Sequence, residues 1–336
     1  MRFSAMGDVA MMVPVVKSLA EQYPQLNITV LSKPFARFFF ESMAHNVHFM
    51  VADPKSELKG IHQLNALYRR LVAKNFTAIA DFHDILRTKY IRLRFNLAWY
   101  KTAHINKHHW QRRKLTSLRN KRLKQLPTSF DNYSEVLAKL GYPVKITFRS
   151  IYGDGKGDFK KIADRIETKR DGERWIGIAP FAAHKGKIYP AEKIKETVKL
   201  LLEKDPQCRL FFFGNGDREH DIIRQIIDGN QRCTDASATL ENLGEELILM
   251  SHLDTMLSMD SANMHLASLV GTRVVSVWGA THPYAGFLGW NQSPLDAVER
   301  NLPCRPCSIF GNKECKFGDY RCMDIQPEQI VKRIII

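Results

Sequence analysis

The sequence lacks several features that would place the protein in a special class. No apolar run reaches the roughly 18–20 residues of a membrane-spanning helix, so no transmembrane segment is predicted. Among the first eight residues, polar and charged side chains interrupt the apolar ones, so there is no signal-peptide pattern. This predicts a cytoplasmic protein. No internal repeat or low-complexity segment is visible, which argues against a solenoid or a disordered chain. With 336 residues, 44% of them hydrophobic, we expect two globular domains.

Acidic residues are missing from one long segment. Residues 87–124 contain 13 Lys or Arg and no Asp or Glu, with aromatic and histidine residues interleaved. Residues 1–150 hold 25 basic and 9 acidic residues, whereas residues 151–336 hold 25 and 26. A solvated surface normally mixes both signs. The segment therefore favours a partner with many negative charges over a plain solvated face, and leaves anionic lipid headgroups, a phosphorylated sugar acceptor and nucleic acid as candidates.

Cysteine is scarce outside one short stretch. Cys208 and Cys233 are isolated in the sequence and are expected to be buried, inert thiols. The other four form a C-x2-C-x7-C-x6-C group, namely Cys304, Cys307, Cys315 and Cys322. In a cytosolic protein such a group indicates reduced thiols or a metal more often than disulfides, but this is not a standard zinc spacing. Packing thiols, a structural metal site and disulfides all stay open at this point.

Strands and helices alternate along the whole chain. In the first part, the pattern predicts strands at 27–31, 47–51 and 78–82 and helices at 9–23, 35–43 and 60–74. A strand should precede the first helix, but few residues are there for it, so either the first strand is truncated or residues before it are missing from the sequence. A glycine-rich linker at 150–173 follows. The second part predicts strands at 175–179, 209–213, 246–249 and 273–278 and helices at 190–204, 217–228 and 261–270.

This alternation predicts the overall architecture. Repeated strand–helix units form doubly wound α/β sheets. We therefore expect a GT-B-like α/β fold, in which two Rossmann-like domains face a central cleft. The expected boundaries are 1–155 for the first domain, 156–325 for the second and 326–336 for a final helix.

Two of the loops that follow predicted strands contain charged side chains. Open α/β sheets bind ligands at the carboxyl ends of their strands. The turn before the first helix holds Gly7 and Asp8, where the carboxylate could be an ordinary helix cap or could point into a site. The loop at 179–190 holds Lys187, and lysines in such a loop suit a diphosphate, although surface lysines are also ordinary.

Two further loops have glycine or capping residues. Gly214 lies in a glycine turn that in many folds only reverses the chain. Asp260 and Ser261 are strong helix-capping types, and the amides after them would form an anion site aided by the helix dipole. His265 lies one turn into the same helix. A capping box with a core histidine is the alternative interpretation.

Together, the loops carry four sequence phrases. S-A-M-G-D-V, K-x-Y-P, D-S-x-x-M-H-L-A-x-x-x-G and W-G-A-T-x-P occur in this order, at residues 4–9, 187–190, 260–271 and 278–283. They resemble glycosyltransferase family 9, the ADP-heptose:lipopolysaccharide heptosyltransferases, over nearly the whole chain, including a cysteine group that some members carry. The resemblance implies a GT-B fold and an inverting transfer of heptose from ADP-heptose onto the lipopolysaccharide inner core. It implies no required metal and no cofactor.

The resemblance also implies roles for individual residues. Asp8 would be the general base, and Lys187 would hold the donor diphosphate. The donor site would be completed by Asp260, Ser261, Ala262, His265, Gly279, Thr281 and Gly214. Two positions depart from the family pattern: Ala262 stands where glycine is usual, and Tyr189 where tryptophan is commoner.

The acceptor is assigned to the first domain, because the inner region of lipopolysaccharide carries carboxylates and phosphates. The expected acceptor-binding residues are Gly7, His83, Arg87, Lys89, Arg112 and Arg113. The basic segment is also expected to touch the inner membrane peripherally, and no nucleic-acid partner is expected. The alternatives are another GT-B nucleotide-sugar enzyme such as an epimerase, or a non-catalytic protein that binds nucleic acid or anionic lipid through residues 87–124.

Overall fold

The structure is a computed structural model that describes residues 1–41, 43–53 and 55–335. Its strands are β1 Ile28–Ser32, β2 Val47–Val51, β3 Ala78–Asp81, β4 Lys101–His104, β5 Arg174–Ala179, β6 Cys208–Phe212, β7 Cys233–Asp235, β8 Thr255–Met259, β9 Val274–Trp278 and β10 Ala297–Glu299. Its helices are α1 Met6–Ala10, α2 Met12–Gln22, α3 Arg37–Phe40, α4 Ile61–Val72, α5 Leu86–Leu97, α6 His109–Leu115, α7 Ser129–Lys139, α8 Ala191–Lys204, α9 Asp217–Ile227, α10 Ala236–Thr239, α11 Leu243–His252, α12 Ala262–Leu269 and α13 Pro327–Ile334. Across the described residues, every helix is too short or too polar to cross a membrane.

The chain divides into two compact units. The first comprises residues 1–107 and 127–148, and the second comprises residues 108–126 and the chain from Arg149 onwards. This division differs from the predicted boundary at 155, above all because residues 108–126 belong to the second unit. The physical reason is a small apolar cluster in which Leu115 and Leu126 pack with Ala285, Phe287 and Ile309.

The second unit is built on one continuous parallel sheet. Its strand order is β10-β9-β8-β5-β6-β7, and all neighbouring strands are parallel. The strands β8 and β9 are buried along their whole length, which explains why they consist largely of apolar residues. Helices α8 and α13 pack on each other, and Ile330, Val331 and Ile334 of α13 join the core.

The first unit has a sheet in two pieces, joined by the first residues of the chain. Strands β1 and β2 pair in parallel, as do β3 and β4. Residues 1–3 lie between the pairs. The amide of Arg2 donates to the carbonyl of Leu31 (3.2 Å), and the amide of Phe82 donates to the carbonyl of Met1 (3.1 Å). Three residues thus occupy the central position for which the sequence predicted a truncated strand.

One predicted strand is wrong. Residues 246–249 belong to α11, and the strand of this region is β8, a few residues later. The side chain of Asn242 accepts a hydrogen bond from the amide of Glu245 and caps α11. Residues 247–250 are apolar because this helix is buried, and a short apolar run in a buried helix looks like a buried strand.

Candidate functional site

Two loops of the second unit meet where the strand order reverses. The chain runs outward from β5 to β6 and β7, and then from β8 to β9 and β10 on the other side. Ligands of open α/β sheets bind beyond the carboxyl ends of the strands at such a switch point. Lys187 follows β5 and Asp260 follows β8, and the Nζ and Oδ2 atoms of these residues lie 3.2 Å apart.

The Lys187–Asp260 pair is shielded from solvent. The two side chains are 14% and 7% exposed, so their charges are weakly screened. An ammonium group has three N–H donors. Lys187 can therefore stay paired with Asp260 and still donate to an anionic ligand.

The helix that follows β8 begins beside this pair. Ser261 is the N-cap residue of α12, but its side chain does not cap the helix; its Oγ atom lies 3.4 Å from Oγ of Ser258. The amides of the first turn, which starts at Ala262, are therefore not engaged by the capping side chain. His265 lies buried one turn into the helix. The helix dipole adds positive potential where Lys187 already contributes a charge.

The turn after β9 lies directly on the loop that contains Lys187. A Cβ atom on Gly279 would lie 2.5 Å from the carbonyl oxygen of Gly186, so no larger residue fits there. The amide of Ala280 donates to the same carbonyl over 2.8 Å. Thr281 is completely buried, and its hydroxyl has no hydrogen-bond partner in the part of the chain that is described.

Arg305, for which the sequence predicted no role, holds the backbone of this turn in place. Its buried guanidinium donates to the carbonyls of Trp278, Gly279 and Thr281 and pairs with Glu299. The amides of residues 307 and 308 donate to the carbonyl of Ala280 over 3.0 and 3.2 Å. All four carbonyls of residues 278–281 are thereby occupied. The residues that donate to these four carbonyls, Arg305 and residues 307 and 308, belong to none of the four motifs.

Gly214 has a packing role. A Cβ atom at this position would lie 2.9 Å from Cδ1 of Ile223 and 3.2 Å from the ring of Phe181. Its amide donates to Oγ of Ser237 over 3.3 Å. The glycine lets α9 and the loop after β5 approach β6 closely. A contact of Gly214 with a donor remains a prediction.

In the first unit, Asp8 is held by an arginine. Asp8 is the third residue of α1, and its Oδ2 atom lies 2.6 Å from Nη2 of Arg2 and accepts a hydrogen bond from the amide of Ala5. The hydroxyl of Tyr133 donates to the main-chain carbonyl of Asp8 over 3.1 Å. Nη1 of Arg2 donates to the carbonyl of Phe82. Gly7 lies beside Asp8 in the same short helix. The carboxylate is thus anchored while a quarter of its surface stays exposed.

His83 is a neutral histidine close to the same turn. Its Nδ1 atom accepts from the amide of Phe3 over 3.2 Å, so Nε2 carries the proton in the neutral ring, and Nε2 lies 3.4 Å from Oγ of Ser4. Burial, together with the charge of Arg2, lowers the pKa of His83 to about 4. At neutral pH it therefore acts as a hydrogen-bond donor through Nε2 and carries no charge.

The predicted basic acceptor residues fall into both units. Arg87 and Lys89 lie exposed on α5 of the first unit, and Lys89 is 3.5 Å from Asp84. Arg112 and Arg113 lie on α6, in the second unit. The guanidinium of Arg112 packs over two aromatic rings of that unit, at 5.4 and 5.5 Å from their centroids. Acceptor binding by these four residues remains a prediction.

All six cysteines are free thiols. Cys208 and Cys233 are buried, as predicted, and burial raises the pKa of each to about 11. The other four line one cavity of about 240 Å³ in the second unit. Over the described ranges, no three His, Cys, Asp or Glu side chains are grouped so that they could hold a metal ion. Burial raises the pKa of Cys307, and it raises that of Cys322 to about 11.

Comparison with known proteins decides the family. The sequence profile described as "Glycosyltransferase family 9 (heptosyltransferase)" matches residues 65–318. The chain belongs to this family. Among its relatives, the lipopolysaccharide core heptosyltransferase OpsX of Haemophilus influenzae is 24% identical over 283 residues, covering 84% of this chain and 79% of the relative. The lipooligosaccharide heptosyltransferase 2 of Campylobacter jejuni is 22% identical over 196 residues, covering 56% and 58%. The chain thus spans little more than half the length of the latter relative.

Solved structures share the fold. The family 9 glycosyltransferase of Veillonella parvula superposes with a TM-score of 0.71 at 18% identity, covering 99% of this chain and 95% of that one. The Escherichia coli heptosyltransferase WaaC with ADP superposes with a TM-score of 0.62 at 18% identity, covering 87% and 90%. The predictions of the family and of the GT-B fold class are confirmed.

Proposed function

We propose that the protein is an inverting glycosyltransferase that transfers heptose from ADP-heptose onto the lipopolysaccharide inner core. The observation that carries the proposal is the shielded Lys187–Asp260 pair, which lies beside the start of α12 at the switch point of a doubly wound sheet. This arrangement suits a nucleoside diphosphate. The names of the relatives, and a structural neighbour that contains ADP, support the choice of donor and acceptor.

On the donor side, the departing ADP gains negative charge as its bond to the sugar breaks. Lys187 and the first amides of α12 would stabilise that charge, while Asp260 keeps the ammonium of Lys187 in place. The hydroxyl of Thr281 and the close backbone at Gly279 would complete the pocket. In this proposal the protein itself supplies the positive charge, so neither a metal ion nor a cofactor takes part.

On the acceptor side, Asp8 would act as the general base. The acceptor oxygen attacks the anomeric carbon, its proton passes to the Asp8 carboxylate, and the bond from the anomeric carbon to the diphosphate oxygen breaks. Attack from the face opposite the leaving group inverts the configuration. Arg2, at 2.6 Å, would keep the carboxylate ionised and oriented until the proton arrives.

The acceptor itself is anionic in this proposal. Nε2–H of His83 and the backbone at Gly7 would contact it close to Asp8, and the charges of Arg87 and Lys89 would attract it. Arg112 and Arg113 would contribute from the second unit. We place the protein on the cytoplasmic face of the inner membrane, in peripheral contact through its basic segment, without a nucleic-acid partner.

A thermal-shift panel of ADP-, GDP- and UDP-sugars tests the donor assignment, because a ligand that binds the native state raises the melting temperature. ADP-sugars should give the largest shift. Lys187→Ala should weaken ADP binding by roughly 1.5–3 kcal/mol, as measured by calorimetry. Lys185→Ala is the matched control, since Lys185 lies in the same short turn but packs over the ring of Tyr320. Equal ADP affinity of the two variants would refute the assignment.

A further inference from the structure

Helix α5 of the first unit has two apolar faces. One face is internal, where Ile91 and Phe95 are buried in the core of the unit. The other consists of three leucines that face solvent: Leu86 is 86% exposed, Leu93 53% and Leu97 71%. At 3.6 residues per turn, the three leucines lie within about 40° of one another, in a stripe about 16 Å long. A helix on the surface of a protein normally turns a polar face outward.

The residue that follows this helix extends the exposed apolar surface. Trp99 is 96% exposed, and its main chain has the left-handed conformation, with φ +61°. Bulky residues rarely adopt this conformation, because their Cβ atom crowds the backbone. The amide of Trp99 donates to the carbonyl of Asn96 over 3.0 Å, which fixes the turn. The fold therefore holds its most exposed tryptophan in a conformation that this residue type disfavours.

The charge around the stripe has one sign. Residues 85–107 contain six Lys or Arg and no acidic residue. Arg92 is neutralised by Asp81 and Asp84, at 2.7 and 3.0 Å. Arg87 and Lys101, which flank the stripe in sequence, are exposed and form no ion pair with any described residue. Helices that lie in the interface of an anionic bilayer typically combine leucine and tryptophan with unpaired basic side chains beside them.

We propose that the outer face of α5 (Leu86, Leu93 and Leu97) and Trp99 insert into the surface of a bilayer with anionic headgroups. This inference rests on the membrane contact proposed above and names the element that makes it. Arg87 and Lys101 pair with headgroup phosphates, while the leucines and the tryptophan enter the boundary between headgroups and acyl chains. The charged segment 108–126 of the second unit is not required for this insertion.

The position of α5 fits a lipid-linked acceptor. The helix begins two residues after Asp84, in the connection that follows β3 and contains His83. The backbone of this connection is fixed by Asp81, whose Oδ1 atom accepts from the amides of His83 and Asp84, both over 2.9 Å. The bilayer-facing helix thus starts at the same edge of the sheet as Asp8. An acceptor whose acyl chains stay in the bilayer could present its sugar at that edge.

The test measures binding of the full chain to vesicles of phosphatidylethanolamine and phosphatidylglycerol, with phosphatidylcholine vesicles as the neutral comparison. Vesicles with brominated acyl chains should quench the fluorescence of the wild-type protein. Trp99→Phe should abolish that quenching, whereas Trp110→Phe should leave it unchanged. Trp110 is the matched control, because it is also exposed but lies in segment 108–126.

Two further variants separate the apolar from the electrostatic contribution. Leu93→Gln with Leu97→Gln should lower the partition coefficient about tenfold or more at any salt concentration, because buried apolar area is lost. Lys101→Gln should lower it about fivefold at low salt and progressively less as salt rises. Ile61→Gln, on the exposed surface of α4, is the control that should bind like wild type.

Three results would overturn the inference: no binding of the wild-type chain to anionic vesicles, quenching that depends on Trp110 in place of Trp99, or a leucine variant that binds normally but no longer self-associates. The last result would show that a second copy of the chain covers the stripe. Transfer to a deacylated, water-soluble acceptor should be the same for the leucine variant and wild type. A wild-type chain that binds vesicles but transfers no sugar would refute the proposed function and leave this inference standing.

Discussion

The two units support their candidate site residues in different ways. In the second unit, Lys187 and Asp260 follow neighbouring strands of one continuous six-stranded sheet, so the main chain itself brings them together. In the first unit, the sheet consists of two strand pairs joined through residues 1–3, and Asp8 is positioned by the side chain of Arg2. One site therefore depends on sheet topology and the other on a few side-chain contacts.

In each unit a buried arginine supports the site residues, but the two arginines bind different kinds of partner. Arg2 spans from the carbonyl of Phe82 to the carboxylate of Asp8. Arg305 binds three carbonyls of a turn and one carboxylate, that of Glu299. A guanidinium beside a carboxylate changes the charge environment of that carboxylate. A guanidinium that donates hydrogen bonds to carbonyls fixes the shape of the backbone. Substitutions in the first unit should therefore act mainly on turnover, and those in the second on stability and donor binding.

The largest effect is expected for Asp8→Asn. Loss of a general base should lower kcat by about 10²–10⁴-fold, with ADP affinity nearly unchanged. Asp131→Asn is the matched control, because Asp131 is likewise the third residue of a helix in the first unit and likewise accepts from the amide of its N-cap residue. Steady-state kinetics and calorimetry measure both quantities. Similar kcat losses in the two variants would mean that Asp8 serves as a helix cap.

The second unit should respond through stability. Arg305→Met leaves buried carbonyls without their donor and leaves Glu299 only its contact with His282, which should lower the free energy of unfolding by about 3–5 kcal/mol. Arg300→Met is the control; its ion pair with Asp324 is exposed and should contribute less than about 1 kcal/mol. Urea denaturation, followed with and without ADP, measures both variants. A midpoint for Arg305→Met equal to that of the control would show that the turn keeps its shape unaided.

The difference between the units also explains what could be predicted from the sequence. The apolar runs of β5 and β9 were predicted correctly as strands, because buried parallel strands have a local signature. The contact between Lys187 and Asp260 was not predicted, because β8, the strand that Asp260 follows, was itself missed in the sequence. Arg2 and Arg305 were missed, because many of their partners are backbone carbonyls, which leave no pattern in the sequence.

Two differences between prediction and structure have another origin. The strand predicted at 246–249 was wrong, since an apolar run alone does not distinguish a buried helix from a buried strand. The membership of residues 108–126 in the second unit depends on Leu115 and Leu126, whose contacts with residue 285 are distant in sequence. Such contacts cannot be read from the sequence. They also change how the basic residues are divided between the two units. With residues 108–126 in the second unit, both units carry an excess of basic residues.

A smaller effect, confined to the first unit, is expected with pH. The pKa of His83 is lowered to about 4 in the folded protein, against 6.5 in the unfolded chain, mainly by burial. The unfolded state therefore binds the additional proton first. The stabilising contribution is complete above pH 6.5 and is lost as the pH falls from 6.5 towards 4, up to about 3 kcal/mol. Urea denaturation of His83→Gln should show a flatter pH dependence over this range. An unchanged slope would mean that other groups dominate.

The smallest effects should come from the exposed charges. Arg87→Gln with Lys89→Gln removes charge from the first unit, and Arg113→Gln with Arg119→Gln removes the same amount from the second; Arg112 and Lys114 are left intact because they pack on aromatic rings. Each lost charge contributes up to about 1 kcal/mol, and the effect should shrink as salt rises, because screening at 0.15 M acts over about 8 Å. The first pair should raise the acceptor KM without changing ADP affinity, while the second pair should raise it less. Lys195→Gln with Lys199→Gln, on the exposed surface of α8, is the control for net charge. If the second pair raised the acceptor KM more than the first, the acceptor would be recognised chiefly by the unit that also holds Lys187, and the division of roles between the two units would be wrong.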